Sequence, residues 1–405
     1  MSSRTASLDE AFIEMATAPL DDPRPIFAAL RETAPVFLTP YGFYFISRYD
    51  IGVDVLRNDS FWKIQPPVAQ VGYGREGSLA TEHWLKSIQM LDDFDHVRLR
   101  RLVNRLFTPR AAEQRRQMVR AIVDKQLDAI EESDVVDLVH DFALQVPTKV
   151  VVEILGLDPS KVDLFVALAH GMISILEPEV TDSEVAHADS VVREGIEYLL
   201  EAFEDRRSAP TDDVLTELVA VRDGGDSMSE EELVAMIIIL IVGGYETTAN
   251  TMATVVYDLL LEPMKLAKLR AEPDMIPTAT EELLRYDSAP RNSVARYASG
   301  DITLGSQLVR EGEKVYVGLN ACNHDPTVFE RPLELDLTRS PNRHISFGGG
   351  SHFCLGAALA RVELQEGIQG LLSRFEGIEL TSNSVQWRSS FVLRGLQALP
   401  LRLSA

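Results

Sequence analysis

The stretch Phe347-Gly348-Gly349-Gly350-Ser351-His352-Phe353-Cys354-Leu355-Gly356 is followed directly by an apolar, helix-compatible run from Ala357. It places one of the chain's two cysteines after a glycine-rich turn and at the start of a predicted helix. The free N–H groups and the positive end of the helix dipole favour a thiolate at this position. Such a thiolate suits an axial iron ligand, whereas an isolated cysteine is more often a small core hydrophobe.

A second pattern, Gly243-Gly244-Tyr245-Glu246-Thr247-Thr248, lies in a long helix that we predict to begin near Ser229. Ser229 and Glu232 have the spacing of a capping box. Two adjacent glycines within a helix cost about 1 kcal/mol each relative to alanine. A helix accepts this cost where it distorts or lets another group approach its backbone, and helix packing through small residues is the alternative.

Two further patterns place charged or polar side chains on predicted helices. Glu282 and Arg285, on a helix that begins near Pro277, are three residues apart and share a helix face. His96 and Arg100 are four residues apart, so both can reach one ligand, and an arginine fork pairs well with a carboxylate. Taken alone, the Glu282–Arg285 pair is typical of a surface salt bridge. A lone histidine such as His96 is more often a structural residue.

The pattern F-x-x-G-x-x-x-C-x-G and the other three together resemble the signatures of the cytochrome P450 (haem-thiolate monooxygenase) superfamily. The resemblance runs from about Asp21 to the C-terminus. It implies a mostly α fold with small β-sheets, in a single large domain over residues 21–405 that follows an N-terminal extension, 1–20. It also implies haem b as the cofactor and a reaction that inserts one oxygen atom from O2 into a substrate.

The resemblance assigns the proximal side of the haem to the cysteine loop. Cys354 is the implied iron ligand, and Phe347 packs beside its sulfur. Gly350 and Gly356 permit the tight loop and the close approach of the following helix to the porphyrin. The implied ligands of the two haem propionates are His96, Arg100, Arg296 and His352.

The resemblance assigns the distal side to the long helix. Thr247 forms hydrogen bonds where oxygen binds, and Glu246 takes part in proton delivery, since oxygen activation consumes two protons. Glu282 and Arg285 form a buried structural pair. Many relatives add an arginine from a P-x-R-F segment, but residues 332–335 of this chain are Pro-Leu-Glu-Leu, so Arg331 is the nearest substitute.

The segments that contact substrate in the family are mostly apolar here, which predicts a hydrophobic small molecule. Arg291 is the exception, and it either pairs with a substrate carboxylate or faces solvent. The helical region 164–200, which we expect to form a lid, contains a further apolar run. The predicted pocket residues are Met90, Leu91, Ile239, Val242, Gly243, Ala289, Pro290, Arg291, Val294, Phe391 and Val392.

Composition excludes several other classes of protein. A net charge of −23 disfavours a nucleic-acid partner, because phosphate binding needs a positive surface. The first ten residues lack the apolar core of a signal peptide, and the apolar run 233–242 is too short to span a bilayer. Two cysteines provide no disulfide framework. We therefore expect a monomeric cytoplasmic protein without a membrane anchor.

One basic stretch stands out in this acidic chain: residues 98–120 contain eight arginines and a single acid, Glu113. No G-x-G-x-x-G follows a predicted strand, so the electrons must come from another protein. An acidic ferredoxin or flavodoxin is the expected donor, and a solvated helix face is the alternative reading. The predicted docking residues are Arg98, Arg101, Arg105, Arg110, Arg115 and Arg116.

The remaining chain predicts helices mixed with short strands. We expect a helix over residues 22–32, a hairpin over 35–47, a long loop over 61–91 and mostly helices from Asp95 onward. Strands are predicted over residues 292–297, 314–319 and 391–403.

Three other functions within the same fold remain open. A peroxide-driven peroxygenase or decarboxylase replaces the acid–alcohol pair with an Arg–Pro arrangement, whereas Glu246-Thr247 is intact here. A non-catalytic haem-thiolate protein that binds ligands is expected to lose the iron ligand or the distal pair, and this chain keeps both. Nitric oxide reduction leaves no clear mark in the sequence.

Overall fold

The computed structural model describes residues 7–63, 75–221, 227–382 and 384–404, and most of them are helical. Across these ranges the α-helices are Leu8–Thr17 (α1), Arg24–Thr33 (α2), Tyr49–Arg57 (α3), Leu79–Lys86 (α4), Asp93–Asn104 (α5), Pro109–Gln114 (α6), Arg116–Ile130 (α7), Gln145–Leu155 (α8), Val162–Ser174 (α9), Asp182–Ser208 (α10), Val214–Ala220 (α11), Glu230–Leu260 (α12), Pro263–Ala271 (α13), Ile276–Asp287 (α14), Leu319–Asn323 (α15) and Ala357–Arg374 (α16).

The strands are short and form four small sheets. A five-stranded sheet has the order β1-β2-β8-β5-β3, and the others are β4-β12-β9, β10-β11 and β6-β7. The strands are Val36–Leu38 (β1), Tyr44–Ile46 (β2), Phe61–Trp62 (β3), Val135–Asp137 (β4), Arg296–Ala298 (β5), Ile302–Leu304 (β6), Gln307–Val309 (β7), Lys314–Val317 (β8), Gly377–Leu380 (β9), Gln386–Trp387 (β10), Leu396–Ala398 (β11) and Pro400–Ser404 (β12).

Helix α12 forms the centre of the core. Its capping box is present as predicted, with the Ser229 hydroxyl accepting from the Glu232 N–H and the Glu232 carboxylate accepting from the Ser229 N–H. The helix packs against α8, α9, α14 and α16, which explains its apolar character around most of its circumference. By length and composition alone, helix α12 could cross a membrane, but 67% of its most apolar segment is buried inside the fold.

Helix α2 and the first hairpin, β1–β2, lie where they were predicted, whereas the long loop over 61–91 is wrong in part. That segment contains strand β3 and helix α4, which begins after Ser78 accepts a hydrogen bond from the Thr81 N–H. Helix α4 is stable because Ala80 and Trp84 are buried in the core. Residues 64–74 of the predicted loop lie outside the described residues.

The strands predicted near the C-terminus are also shorter than expected. Residues 391–395 lie outside any strand, and β11 begins at Leu396. In the predicted strand 292–297, Asn292 forms only an isolated bridge with Gly318, and β5 begins at Arg296.

The division of the chain into an N-terminal extension (1–20) and one domain stays a prediction. Helix α1 lies in that extension, and its Phe12 is fully buried against Phe37 and Phe45.

Candidate functional site

A cavity of about 350 Å³ lies between helix α12 and the loop that carries Cys354. Its wall includes Cys354 on one side and Gly243 and Thr247 on the other. Residues that are more than a hundred positions apart in the sequence therefore meet at one site, as the sequence motifs predict.

The cysteine loop is held by its backbone. The Cys354 N–H donates to the Phe347 carbonyl (3.0 Å), and Gly348 and Gly350 adopt φ values of +71° and +68°. A Cβ on Gly350 would lie 2.3 Å from the Leu56 carbonyl oxygen, so the loop requires glycine there. Gly356 has nothing within 4 Å of a built Cβ and lines the cavity, which leaves room for a flat ligand beside helix α16.

Cys354 lines the cavity and is exposed there. Burial raises the pKa of the Cys354 thiol, and the N–H groups of Gly356 and Ala357 and the guanidinium of Arg100 act in the opposite direction. The helix terminus thus contributes as expected from the sequence, but burial outweighs it. A metal ion bound to such a thiol removes its proton outright.

Thr247 and Glu246, the two residues assigned to the distal side, lie in different environments. Thr247 lines the cavity, and its hydroxyl donates to the Gly243 carbonyl at 2.7 Å. Glu246 is buried on another side of α12, where Arg388 Nη1 donates to its Oε1 at 3.1 Å and His170 Nδ1 lies 3.5 Å from its Oε2. Because successive helical residues are rotated by about 100°, adjacency in sequence does not bring both side chains into the cavity.

A group of polar side chains forms one end of the cavity. The rings of His96 and His352 lie 4.0 Å apart. Burial, followed by the charge of Arg100, lowers the pKa of His96 to about 4; burial lowers that of His352 to about 3, although Asp92 opposes this change. We call this group the polar corner, and it comprises Lys63, His96, Arg100, Arg296 and His352.

Lys63 is the member of the polar corner that the sequence analysis missed. Its side chain is 3% exposed, and burial lowers its pKa well below the ordinary range. The signal in the sequence is a lysine directly after the aromatic pair Phe61-Trp62, within the predicted loop 61–91.

The pair Glu282–Arg285 is fully buried, as expected for a structural role. Arg285 donates to both carboxylate oxygens of Glu282 at 2.7 and 2.8 Å. The predicted third partner, Arg331, is wrong: it lies at the surface and pairs with Glu334. Arg339 takes that place, with Nε 2.9 Å from Glu282 Oε2, because the chain after Pro332 turns back toward α14.

Six of the eleven predicted pocket residues line the cavity: Ile239, Val242, Gly243, Pro290, Val294 and Val392. In the described part of the chain, the other five are not part of the wall, namely Met90, Leu91, Ala289, Arg291 and Phe391. Ile88 and Gln89 line it in place of Met90 and Leu91. Arg291 lies neither in the cavity wall nor at the surface: it is buried, and its Nη1 donates to the Ser390 carbonyl at 2.5 Å.

Only some of the arginines in the basic stretch, residues 98–120, are exposed at the surface. Arg98 pairs with Glu232, and Arg116 pairs with the buried Glu366 at 2.7 Å. Arg115 donates to the Leu106 carbonyl at 2.5 Å. Three of the six predicted docking arginines therefore bind within the fold, and Arg101, Arg105 and Arg110 are exposed.

Comparisons with known proteins agree with this geometry. The family model for cytochrome P450 matches residues 71–389. The chain is 33% identical over 398 residues to the polyketide biosynthesis cytochrome P450 PksS of Bacillus subtilis, covering 95% of this chain and 96% of that protein. It is 33% identical to the 6-deoxyerythronolide B hydroxylase of Saccharopolyspora erythraea, covering 93% and 95%.

A solved structure shows the same likeness in three dimensions. P450BioI, in complex with an acyl carrier protein ligated to hexadec-9Z-enoic acid, superposes with a TM-score of 0.89 at 30% identity, covering 95% of this chain and 98% of that one. The chain belongs to the cytochrome P450 family. The predicted fold class is confirmed, and the chain is a P450 monooxygenase of the bacterial type, whose cofactor is haem.

The described residues fit a haem. Gly243 and Gly356 line the cavity, and neither has an atom within 4 Å of a built Cβ, so the space between α12 and α16 stays open for a flat ring. The polar corner places buried cations where a ring with two carboxylates needs them. Cys354 supplies the sulfur, and the apolar Phe347 lines the cavity nearby.

Proposed function

We propose that this protein binds haem b through Cys354 and inserts one oxygen atom from O2 into a neutral, apolar small molecule. One observation carries the proposal: Cys354, Thr247 and the polar corner line a single cavity. Haem bound to a thiolate supplies the oxygen activation. We further propose that the protein works as a cytoplasmic monomer that receives electrons from a separate protein.

The protein's own residues hold and orient the haem. We assign the iron to Cys354 and the propionates to His96, Arg100, Arg296 and His352. Arg100 also donates to the Phe353 carbonyl at 2.6 Å, which ties helix α5 to the cysteine loop. Phe347, the first residue of the cysteine loop, lines the cavity and excludes water from the sulfur.

Protons are proposed to arrive through the distal helix. Thr247 holds a hydroxyl at the cavity wall, and its bond to the Gly243 carbonyl leaves the oxygen free to accept another hydrogen bond. Glu246 cannot donate directly into the cavity from its position. Its contacts with Arg388 and His170, whose side chains are 28% and 39% exposed, connect the carboxylate to solvent.

The substrate is proposed to be uncharged because of the cavity's distal wall. Ile154, Leu155, Ile173, Ile239 and Val392 contribute apolar surface there. Among the described residues, the charged side chains that line the cavity belong to the polar corner or, in the case of Glu363, to helix α16. PksS is named for polyketide biosynthesis, which supports an apolar, polyketide-like molecule as the first compound class to screen.

The electron donor is proposed to dock on the exposed side of helix α5. Phe94 and Val97, at one-turn spacing, are 72% and 62% exposed, and Arg101 lies one turn further along. Exposed apolar side chains beside cations are typical of a protein contact. An acidic ferredoxin or flavodoxin complements this surface.

The decisive experiment replaces Cys354 by serine. We expect the reduced carbonyl complex of Cys354→Ser to lose the thiolate-type absorption spectrum, because the serine hydroxyl does not form a thiolate. Cys322→Ser is the matched control, since Cys322 is buried away from the cavity and should leave that spectrum unchanged. A thiolate-type spectrum in Cys354→Ser would overturn the assignment.

Optical titration of the ferric protein then tests the substrate class. A substrate that displaces water from the iron shifts the haem band toward the high-spin form. Neutral polyketide lactones should produce this shift at lower concentration than carboxylates of the same size. A clear preference for the carboxylates would contradict an uncharged substrate.

A further inference from the structure

Lys63 is a lysine with almost no access to water. It follows strand β3, which pairs with β5, the strand that begins at Arg296. Its side chain is 3% exposed and lines the cavity in the polar corner. Lysines are almost never fully buried unless they are paired, because a long stem normally carries the ammonium group to solvent.

The surroundings of Lys63 disfavour its positive charge. Burial and the nearby guanidinium of Arg296 both disfavour the charged ammonium, and Asp92 is the carboxylate that opposes them. Asp92 is shared, since its Oδ2 accepts the Lys63 backbone N–H at 2.5 Å and its Oδ1 lies 3.7 Å from His352 Nε2. Buried cations of one sign are costly without an anion.

The basic side chains of the cavity wall define the kind of ligand that suits it. Lys63 lines the same cavity as Arg100 and Arg296, so three basic side chains contribute to one wall. An ammonium that faces a carboxylate forms a charge-assisted hydrogen bond, so a ligand that carries carboxylates suits this wall.

We propose that Lys63 binds a haem propionate, in addition to the four residues assigned from the sequence. This inference rests on the haem site of the proposed function. Lys63 directly follows strand β3 and Arg296 begins strand β5, whereas His96 and Arg100 lie on helix α5. The haem carboxylates would thus be bound by groups from the β3–β5 pair and from the helix.

The test compares two haems in two proteins. Native protein and Lys63→Met are each loaded with protohaem or with its dimethyl ester, and the rate of haem transfer to apomyoglobin is measured. With protohaem we expect transfer from Lys63→Met to be about tenfold faster, the loss expected for one hydrogen bond to a charged group. With the ester, which carries no carboxylate, the two proteins should release haem at equal rates.

Three further variants sharpen the result. Lys63→Arg should restore slow transfer, and Lys63→Gln should lie between arginine and methionine. Lys314→Met is the matched control, because Lys314 in strand β8 is also shielded from water but does not line the cavity. It should not change haem transfer.

An equal acceleration of Lys63→Met with both haems would overturn the inference, because the lysine would then act through packing alone. No acceleration with either haem would overturn it as well. Failure of the haem site itself is recognised separately. In that case the native protein lacks the thiolate-type carbonyl spectrum, which is independent of Lys63.

Discussion

At the scale of single residues, two arginines of the same loop have opposite surroundings. Arg339 is 10% exposed and donates to the fully buried Glu282, whereas Arg331 is 61% exposed and pairs with Glu334. We expect Arg339→Leu to lower the free energy of unfolding by about 2 kcal/mol, since the buried Glu282 carboxylate keeps Arg285 but loses its charge-assisted hydrogen bonds from Arg339. Urea denaturation measures the loss.

Arg331→Leu is the control for that prediction. An exposed ion pair contributes at most about 1 kcal/mol, so its removal should leave stability almost unchanged. If the two variants were equally stable, Arg339 would not be the third partner of the Glu282–Arg285 pair. The experiment thus distinguishes Arg331, the partner predicted from the sequence, from Arg339, the partner in the structure.

At the scale of elements, helix α16 carries two buried glutamates in different environments. Burial raises the pKa of Glu363 to about 8, and its Oε2 has no hydrogen-bond partner among the described residues. The folded protein therefore holds a proton that the unfolded chain releases between about pH 4.5 and 8, so this group makes stability fall as pH rises through that window.

We expect Glu363→Gln to be more stable than the native protein at pH 8, by on the order of 2 to 4 kcal/mol, with the gain vanishing toward pH 5. Urea unfolding across this pH range measures the difference. Glu366→Gln should have the opposite effect at pH 7, because Glu366 accepts from Arg116 and Arg120 at 2.7 Å each. A stability gain for Glu363→Gln that did not depend on pH would contradict the raised pKa.

At the scale of the whole molecule, we expect the docking of the electron donor to depend on the distribution of charge more than on the net charge. The net charge is −23, yet two arginines are exposed in the α5–α6 segment: Arg105, which directly follows α5, and Arg110, which lies in α6. A double charge reversal, Arg105→Glu with Arg110→Glu, should raise the KM for an acidic ferredoxin about tenfold at low salt, because steering depends on local potential. Steady-state kinetics with varied donor and fixed substrate measures this.

The control reverses Arg310 and Arg402, which are also exposed but lie outside the α5–α6 segment. It changes the net charge by the same amount and should leave the donor KM unchanged. Substrate binding, followed by optical titration, should be unaltered in both double variants. If both double variants had the same donor KM, net charge would be the cause, and not a docking surface on the α5–α6 segment.

How far the sequence predicts the site depends on what each residue requires. The cysteine loop was predictable because glycine is needed at Gly350, where a side chain would meet the Leu56 carbonyl. The capping box at Ser229 was predictable because it is local. Lys63 and Arg339 were not, because their partners lie far away in the chain and neither belongs to a motif.

The four sequence motifs were thus enough to predict the family and the long helix α12, since spacing along one turn or one helix fixes which groups are neighbours. Tertiary packing alone decided that Thr247 faces the cavity while Glu246 faces Arg388, and that Arg291 and Arg116 are bound within the fold. The physical reason is burial. The same charged side chain is a docking group in water and a structural partner once folding places a carboxylate or carbonyl beside it.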